Sequence, residues 1–146
     1  MPSSIDVANY FLCLEGESSE ISNLKIQKLA YYAQGFSLAL HGQPLFSEPI
    51  EAWMHGPVVP DLYRRFSRYG SGAIPLPNDF NPSVFSPEQQ HLLNEVFDVY
   101  GQFSAWKLRQ LTHEETPWRN NFEEGEFSRT IPQQEMEAYF KEHLVN

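Results

Sequence analysis

Leu24-Lys25-Ile26-Gln27-Lys28-Leu29-Ala30-Tyr31-Tyr32-Ala33-Gln34-Gly35-Phe36-Ser37-Leu38-Ala39-Leu40 is the stretch that decides the fold. Ile26, Leu29, Ala30, Ala33 and Phe36 recur at the three-and-four spacing of one helix face, and Leu24, Tyr31 and Tyr32 add apolar bulk around it. A helix that is apolar on nearly all sides is one that neighbours enclose. Ser22 is placed to cap the first turn. The expectation is a central helix over residues 23–40. Gly35 in its interior costs about 1 kcal/mol against alanine, which the close approach of a neighbour explains. The polar edges are narrow: Lys25 and Lys28 on one, Gln27 and Gln34 on the other.

Working outward, Val7, Tyr10, Phe11 and Leu14 form the apolar face of a first helix that begins at Ser3 or Ser4. Cys13, the only cysteine, lies in that apolar run, so a buried and inert thiol is expected, and no intramolecular disulfide. After the central helix, Leu45-Phe46 and Ile50-to-Met54 are separated by turn residues. Ile50, Ala52 and Met54 alternate with Glu51, Trp53 and His55, the pattern of a half-buried strand in a short hairpin. Gly56-Pro57 reads as a break, and Pro60 suits the first turn of a helix reaching Tyr69. Gly70 to Ser83 is a long proline-containing loop.

Ser86-Pro87-Glu88-Gln89 is a capping box for another helix, and Ser104 caps the next, ending near Thr112. Thr116-Pro117-Trp118 reads as a turn, Asn120 to Phe127 as an acidic loop, and Thr130 with Gln133 as the capping box of a final helix striped by Met136, Tyr139, Phe140 and Leu144. The expected fold is mainly α: one compact domain over residues 1–146, a bundle of about six helices around a central buried helix, with a small β-hairpin element.

Phe, Tyr and Trp make up 14% of the 146 residues, a load sufficient for a real core. Ten basic side chains face 19 acidic ones, for a net charge of −9. The imbalance is concentrated: the first 73 residues hold five basic and seven acidic groups, the last 73 five and twelve. Such a field repels phosphate backbones, so no nucleic-acid partner is expected, and it steers basic proteins inward. No segment approaches the roughly 20 apolar residues of a membrane span, and no signal-like run opens the chain; a cytoplasmic protein is expected.

Catalytic and metal patterns are absent from the sequence. His113-Glu114-Glu115 begins like a zinc-protease helix, but Pro117 stands where the second ligand belongs. His41, His55, His91 and His143 are scattered, so no metal site is expected. Neither a nucleophile elbow nor a phosphate-cradling glycine loop occurs, and no catalytic residue or cofactor is assigned. An enzymatic alternative would require His55 or His113 beside a carboxylate in a deep pocket.

Three blocks occur in order: Gln27-Lys28-Leu29-Ala30-Tyr31-Tyr32-Ala33-Gln34-Gly35, then Glu51-Ala52-Trp53-Met54-His55-Gly56-Pro57-Val58, then Leu111-Thr112-His113-Glu114-Glu115-Thr116-Pro117-Trp118. Together they resemble the Panacea antitoxin domain of SocA-like and GepA-like phage-associated proteins. The resemblance implies a helical domain with a small sheet that neutralises a cognate protein toxin by direct contact. Family members are paired with diverse toxins, some related to alarmone synthetases. Others resemble adaptors that deliver a toxin to an ATP-dependent protease, which is the alternative role. An enzyme is not expected.

Lys25, Lys28, Tyr32, Gln34, Trp53, His55, Arg64, Glu123 and Glu124 are the expected partner-binding residues. Trp and Tyr are good anchors because they bury much area at small entropic cost. Glu123 and Glu124, with Glu126, are suited to a basic toxin. Tyr31 and Trp118 are expected in the core, and His55-Gly56-Pro57 and His113 in structural roles.

Overall fold

A computed structural model describes residues 1–17, 19–125 and 129–144. Seven α-helices occur among them: α1 (Ser4–Glu15), α2 (Asn23–His41), α3 (Pro60–Phe66), α4 (Pro87–Tyr100), α5 (Ala105–His113), α6 (Thr116–Arg119) and α7 (Gln133–Glu142). Three short strands, β1 (Glu51–Trp53), β2 (Gly56–Val58) and β3 (Arg129–Thr130), form one antiparallel sheet in the order β2-β1-β3. The fold is mainly α with a small sheet.

α2 is the axis of the molecule. It packs against α1, α3, α4, α5, α7 and β2, so it is buried on almost every side. Ser22 accepts from the Lys25 amide at its start, and Gly42 closes it in the left-handed conformation at φ 70°, its N–H reaching Leu38 O. The glycine at position 35 admits α7. A β-carbon there would lie 2.1 Å from the Phe140 ring, which lies among Tyr31, Tyr32 and Phe36. Ser3, Ser86 and Ser104 cap α1, α4 and α5, the first two in reciprocal capping boxes.

Several expectations need correction. Leu45-Phe46 is not a strand, because a helix side chain has taken its backbone. Gln34 Oε1 accepts from the Leu45 and Phe46 amides at 2.8 and 3.3 Å, and Gln34 Nε2 donates to Phe46 O at 2.8 Å. The strand opposite β1 is instead the Gly56–Val58 segment, which the sequence reads as a break. Trp53 faces Gly56, leaving Met54-His55 as a two-residue turn. Met54 therefore points outward, 62% exposed, although alternation with Ile50 and Ala52 places it inside.

Cys13 is exposed, not buried, and Leu14 is exposed beside it: α1 buries Val7, Ala8, Tyr10, Phe11 and Leu12 instead. Thr130 does not cap α7. It is held in β3 opposite Glu51, and the helix starts after an extended Pro132. Thr116-Pro117-Trp118 forms the short α6, where a turn was expected, and Trp118 is only partly buried.

Candidate functional site

The residues of the three sequence blocks meet beneath the β1–β2 hairpin. Four side chains from the helices reach its main chain. Gln27 Oε1 accepts from the Val59 amide at 2.9 Å, and Lys28 Nζ donates to Pro57 O at 3.0 Å. Trp118 Nε1 donates to Trp53 O at 2.7 Å, and His113 makes a hydrogen bond to the Met54 backbone. The His113 ring lies flat on Trp118, with centroids 3.8 Å apart and planes 4° apart. Each of these contacts fixes a backbone atom. None of the four fixes the side chains of Met54 or His55.

Deeper in, Glu115 joins the third block to the first. It is 8% exposed, and its two oxygens accept from Tyr31 OH at 2.9 Å and Tyr32 OH at 2.7 Å. Burial lifts its carboxyl to about 7, against the lowering effect of the Tyr32 and Tyr31 hydroxyls. The same burial, with Glu115 nearby, raises both tyrosines. Tyr32 stacks on Tyr100 at 4.0 Å, which completes an aromatic shell around the carboxyl.

Lys28 is fully buried. Burial, and the Arg109 charge beside it, hold its ammonium down at about 7. His113 falls to about 4 through burial and the neighbouring Arg109, Lys28 and His55, so the ring is neutral, and its buried Nε2 has no hydrogen-bond partner among the described residues. For Lys28 the unfolded chain still holds a proton between pH 7 and 10.5 that the folded chain has released. Stability from this group is thus present at high pH and is lost as pH falls through 7. Lys28→Met is expected to remove that alkaline gain, on the order of 3 kcal/mol, while changing stability at pH 7 by no more than about 1 kcal/mol. Urea midpoints from pH 6 to 10 measure both; an unchanged pH slope would refute it.

The outer surface of the hairpin has a different character. Trp53 packs edge-on against Tyr63 at 5.1 Å, and with Met54 it borders two concavities. One, of about 860 Å³, includes Glu51, Asp61, Arg64, Phe122 and Glu124 in its walls. The other, of about 540 Å³, includes Leu24, His55, Tyr63 and Ala105. Trp, Tyr, Met and Arg are the side-chain types enriched at the centres of protein interfaces.

The expected partner-binding residues divide accordingly. Trp53, His55, Arg64 and Glu124 come together on this face. Arg64 is tied to Asp61 at 2.8 Å, and Glu123 is exposed and paired with Arg129 at 2.9 Å. Lys28, Tyr32 and Gln34 are interior, because their polar atoms serve Pro57, Glu115 and the 45–46 backbone; as surface contacts they are corrected. Lys25 is half-buried and donates to Gly101 O at 2.7 Å, at the C-terminal end of α4. Glu126 lies outside the described residues. Sequence reading missed Met54, Tyr63, Trp106 and Arg109. A two-residue gap between Trp53 and Gly56 was the one signal for Met54; the others needed the fold.

His55 and His113 have no hydrogen bond to a carboxylate among the described residues, and no metal-competent cluster of His, Cys, Asp or Glu occurs there. No described helix is long and apolar enough to cross a membrane.

Residues 26–119, which run from α2 to the end of α6 and so include every hairpin clamp, match the family model described as antitoxin SocA-like, Panacea domain. A curated relative, antitoxin SocA of Caulobacter vibrioides, is 35% identical over 109 residues, covering 67% of this chain. The match spans 58% of that relative's length, less than two thirds of it. No solved structure matches.

Proposed function

The chain belongs to the family of SocA-like antitoxins that carry a Panacea domain, and on that premise we propose that it is the antitoxin of a toxin–antitoxin pair, acting without catalysis. It neutralises a cognate protein toxin by direct contact, and residues 1–146 act as one unit. The family match carries the reading. The location of the contact is supported by the hairpin, whose backbone is fixed from below while Met54 and Tyr63 are exposed around a half-buried Trp53. A surface ordered before binding gives up little entropy on docking. The net charge of −9 favours a toxin with a basic face, with Glu51 and Glu124 in the walls of the larger concavity beside the Asp61–Arg64 pair.

The test is co-expression with the adjacent reading frame. Its product should arrest growth alone, and this chain should restore growth. Met54→Asp, at an exposed turn position, should weaken binding about 10- to 100-fold and reduce rescue with little change in melting temperature. An adjacent product that is harmless alone, or toxicity that this chain does not relieve, would refute the antitoxin role. Rescue that persists in cells lacking ATP-dependent proteases identifies masking as the mode; rescue that disappears there identifies proteolytic delivery.

A further inference from the structure

One arginine beside the hairpin tip is in no ion pair among the described residues. Arg109 on α5 lies over the Trp106 ring, 4.8 Å from its centroid, and its Nε donates to His55 Nδ1 at 3.3 Å. The guanidinium is always protonated, so His55 Nδ1 accepts, and the Arg109 terminal amines make no hydrogen bond among the described residues. Buried Lys28 lies close enough for the Arg109 charge to help hold its ammonium down, and it donates to the Pro57 carbonyl. Among the described residues Arg109 is in no ion pair, nor are Arg65, Arg68, Lys107 and Arg119, whereas Arg64, Arg129 and Lys141 each have a carboxylate partner; of the unpaired ones, Arg109 is the one bonded to the hairpin tip. Trp106 is itself 60% exposed, and His55 adjoins exposed Met54 at the hairpin tip.

We infer that Arg109, seated over Trp106 and tethered by His55, receives an aspartate or glutamate side chain of the toxin, next to an apolar residue that covers Trp106. This rests on the antitoxin reading and adds the chemistry of one contact to it. A guanidinium seated over a ring and bonded through Nε keeps its terminal amines for the paired oxygens of a carboxylate, and much of its ordering precedes the partner. Elsewhere the excess of acidic groups repels an incoming carboxylate, so this point sets the register of docking as much as its strength. A nucleic-acid phosphate offers similar oxygens, but a polymer of phosphates meets the repulsion of the whole chain.

The experiment uses the full chain and the purified product of the adjacent reading frame. Arg109→Gln should weaken the complex about 10- to 100-fold, with the melting temperature within about 2 °C of the parent. Arg109→Lys should recover only a small part of the loss, since an ammonium lacks the fork and the stack. Arg109→Glu should abolish binding, and one acidic-to-lysine substitution in the toxin should restore it. An Arg109→Gln protein that binds within about two-fold of the parent would overturn the carboxylate contact and leave the antitoxin role intact. Arg109-dependent binding to a short DNA duplex would overturn it in favour of phosphate. Failure of the parent chain itself to bind or rescue would remove both readings.

Discussion

Glu115→Ala is expected to destabilise the protein by about 3–5 kcal/mol, because it orphans the Tyr31 and Tyr32 hydroxyls in the core and leaves a cavity between them. That is a large part of the roughly 5–15 kcal/mol that holds such a domain folded. Equilibrium urea unfolding followed by circular dichroism measures it. Glu115→Gln should cost only about 1 kcal/mol, since the amide offers one acceptor and one donor and a phenol can take either role. The glutamine variant also isolates the carboxyl titration. Folded Glu115 keeps its proton up to about pH 7, against an ordinary 4.5. The stability it contributes is therefore fully present below 4.5 and is lost as pH rises through 7. The advantage of the parent over Glu115→Gln should shrink across that window by on the order of 2 kcal/mol. A constant difference would show that burial does not govern this group.

Gly56→Ala is the second large effect, at about 3–4 kcal/mol. Two costs combine there. The backbone sits at φ +116°, where a side chain is strained by about 1–3 kcal/mol. A β-carbon would also meet Lys28 Cε at 2.7 Å and Thr112 Oγ1 at 3.0 Å, and the lysine has little freedom to retreat because it is enclosed. Gly42→Ala separates the two costs: its φ is also positive, at 70°, but nothing lies within 4 Å of the added carbon. It should lose only about 1 kcal/mol. Equal losses at the two glycines would contradict close packing under the hairpin.

The parts of the fold that follow local rules were legible in the sequence. Helical spacing placed α2 and its burial; Ser22, Ser86 and Ser104 marked helix starts because a cap acts within one turn. What misled were competitions between distant segments. Nothing near Leu45-Phe46 signals that Gln34 will occupy its main chain, and nothing near Thr130 signals that β1 will claim it. At the site, the blocks were recognisable but their polar residues were read as a surface. Lys28 looks like a solvated charge until Pro57 O is found over it, and Glu115 looks like half of an acidic pair in a loop until two tyrosines converge on it. The exposed contacts carry less local signal, because a side chain in solvent obeys no spacing.

The clamps on the hairpin have a consequence for descent. Gln27, Lys28, His113 and Trp118 grip main-chain atoms, which every residue possesses in the same form. A mutation at position 54 or 55 therefore changes what the protein shows to others without loosening what holds it together. Drift at the tip leaves the backbone where it is, whereas drift in the grips moves the backbone on which the tip stands. Under the proposed antitoxin role, a lineage built this way can trade one adversary for another through viable intermediates, each as well folded as the last.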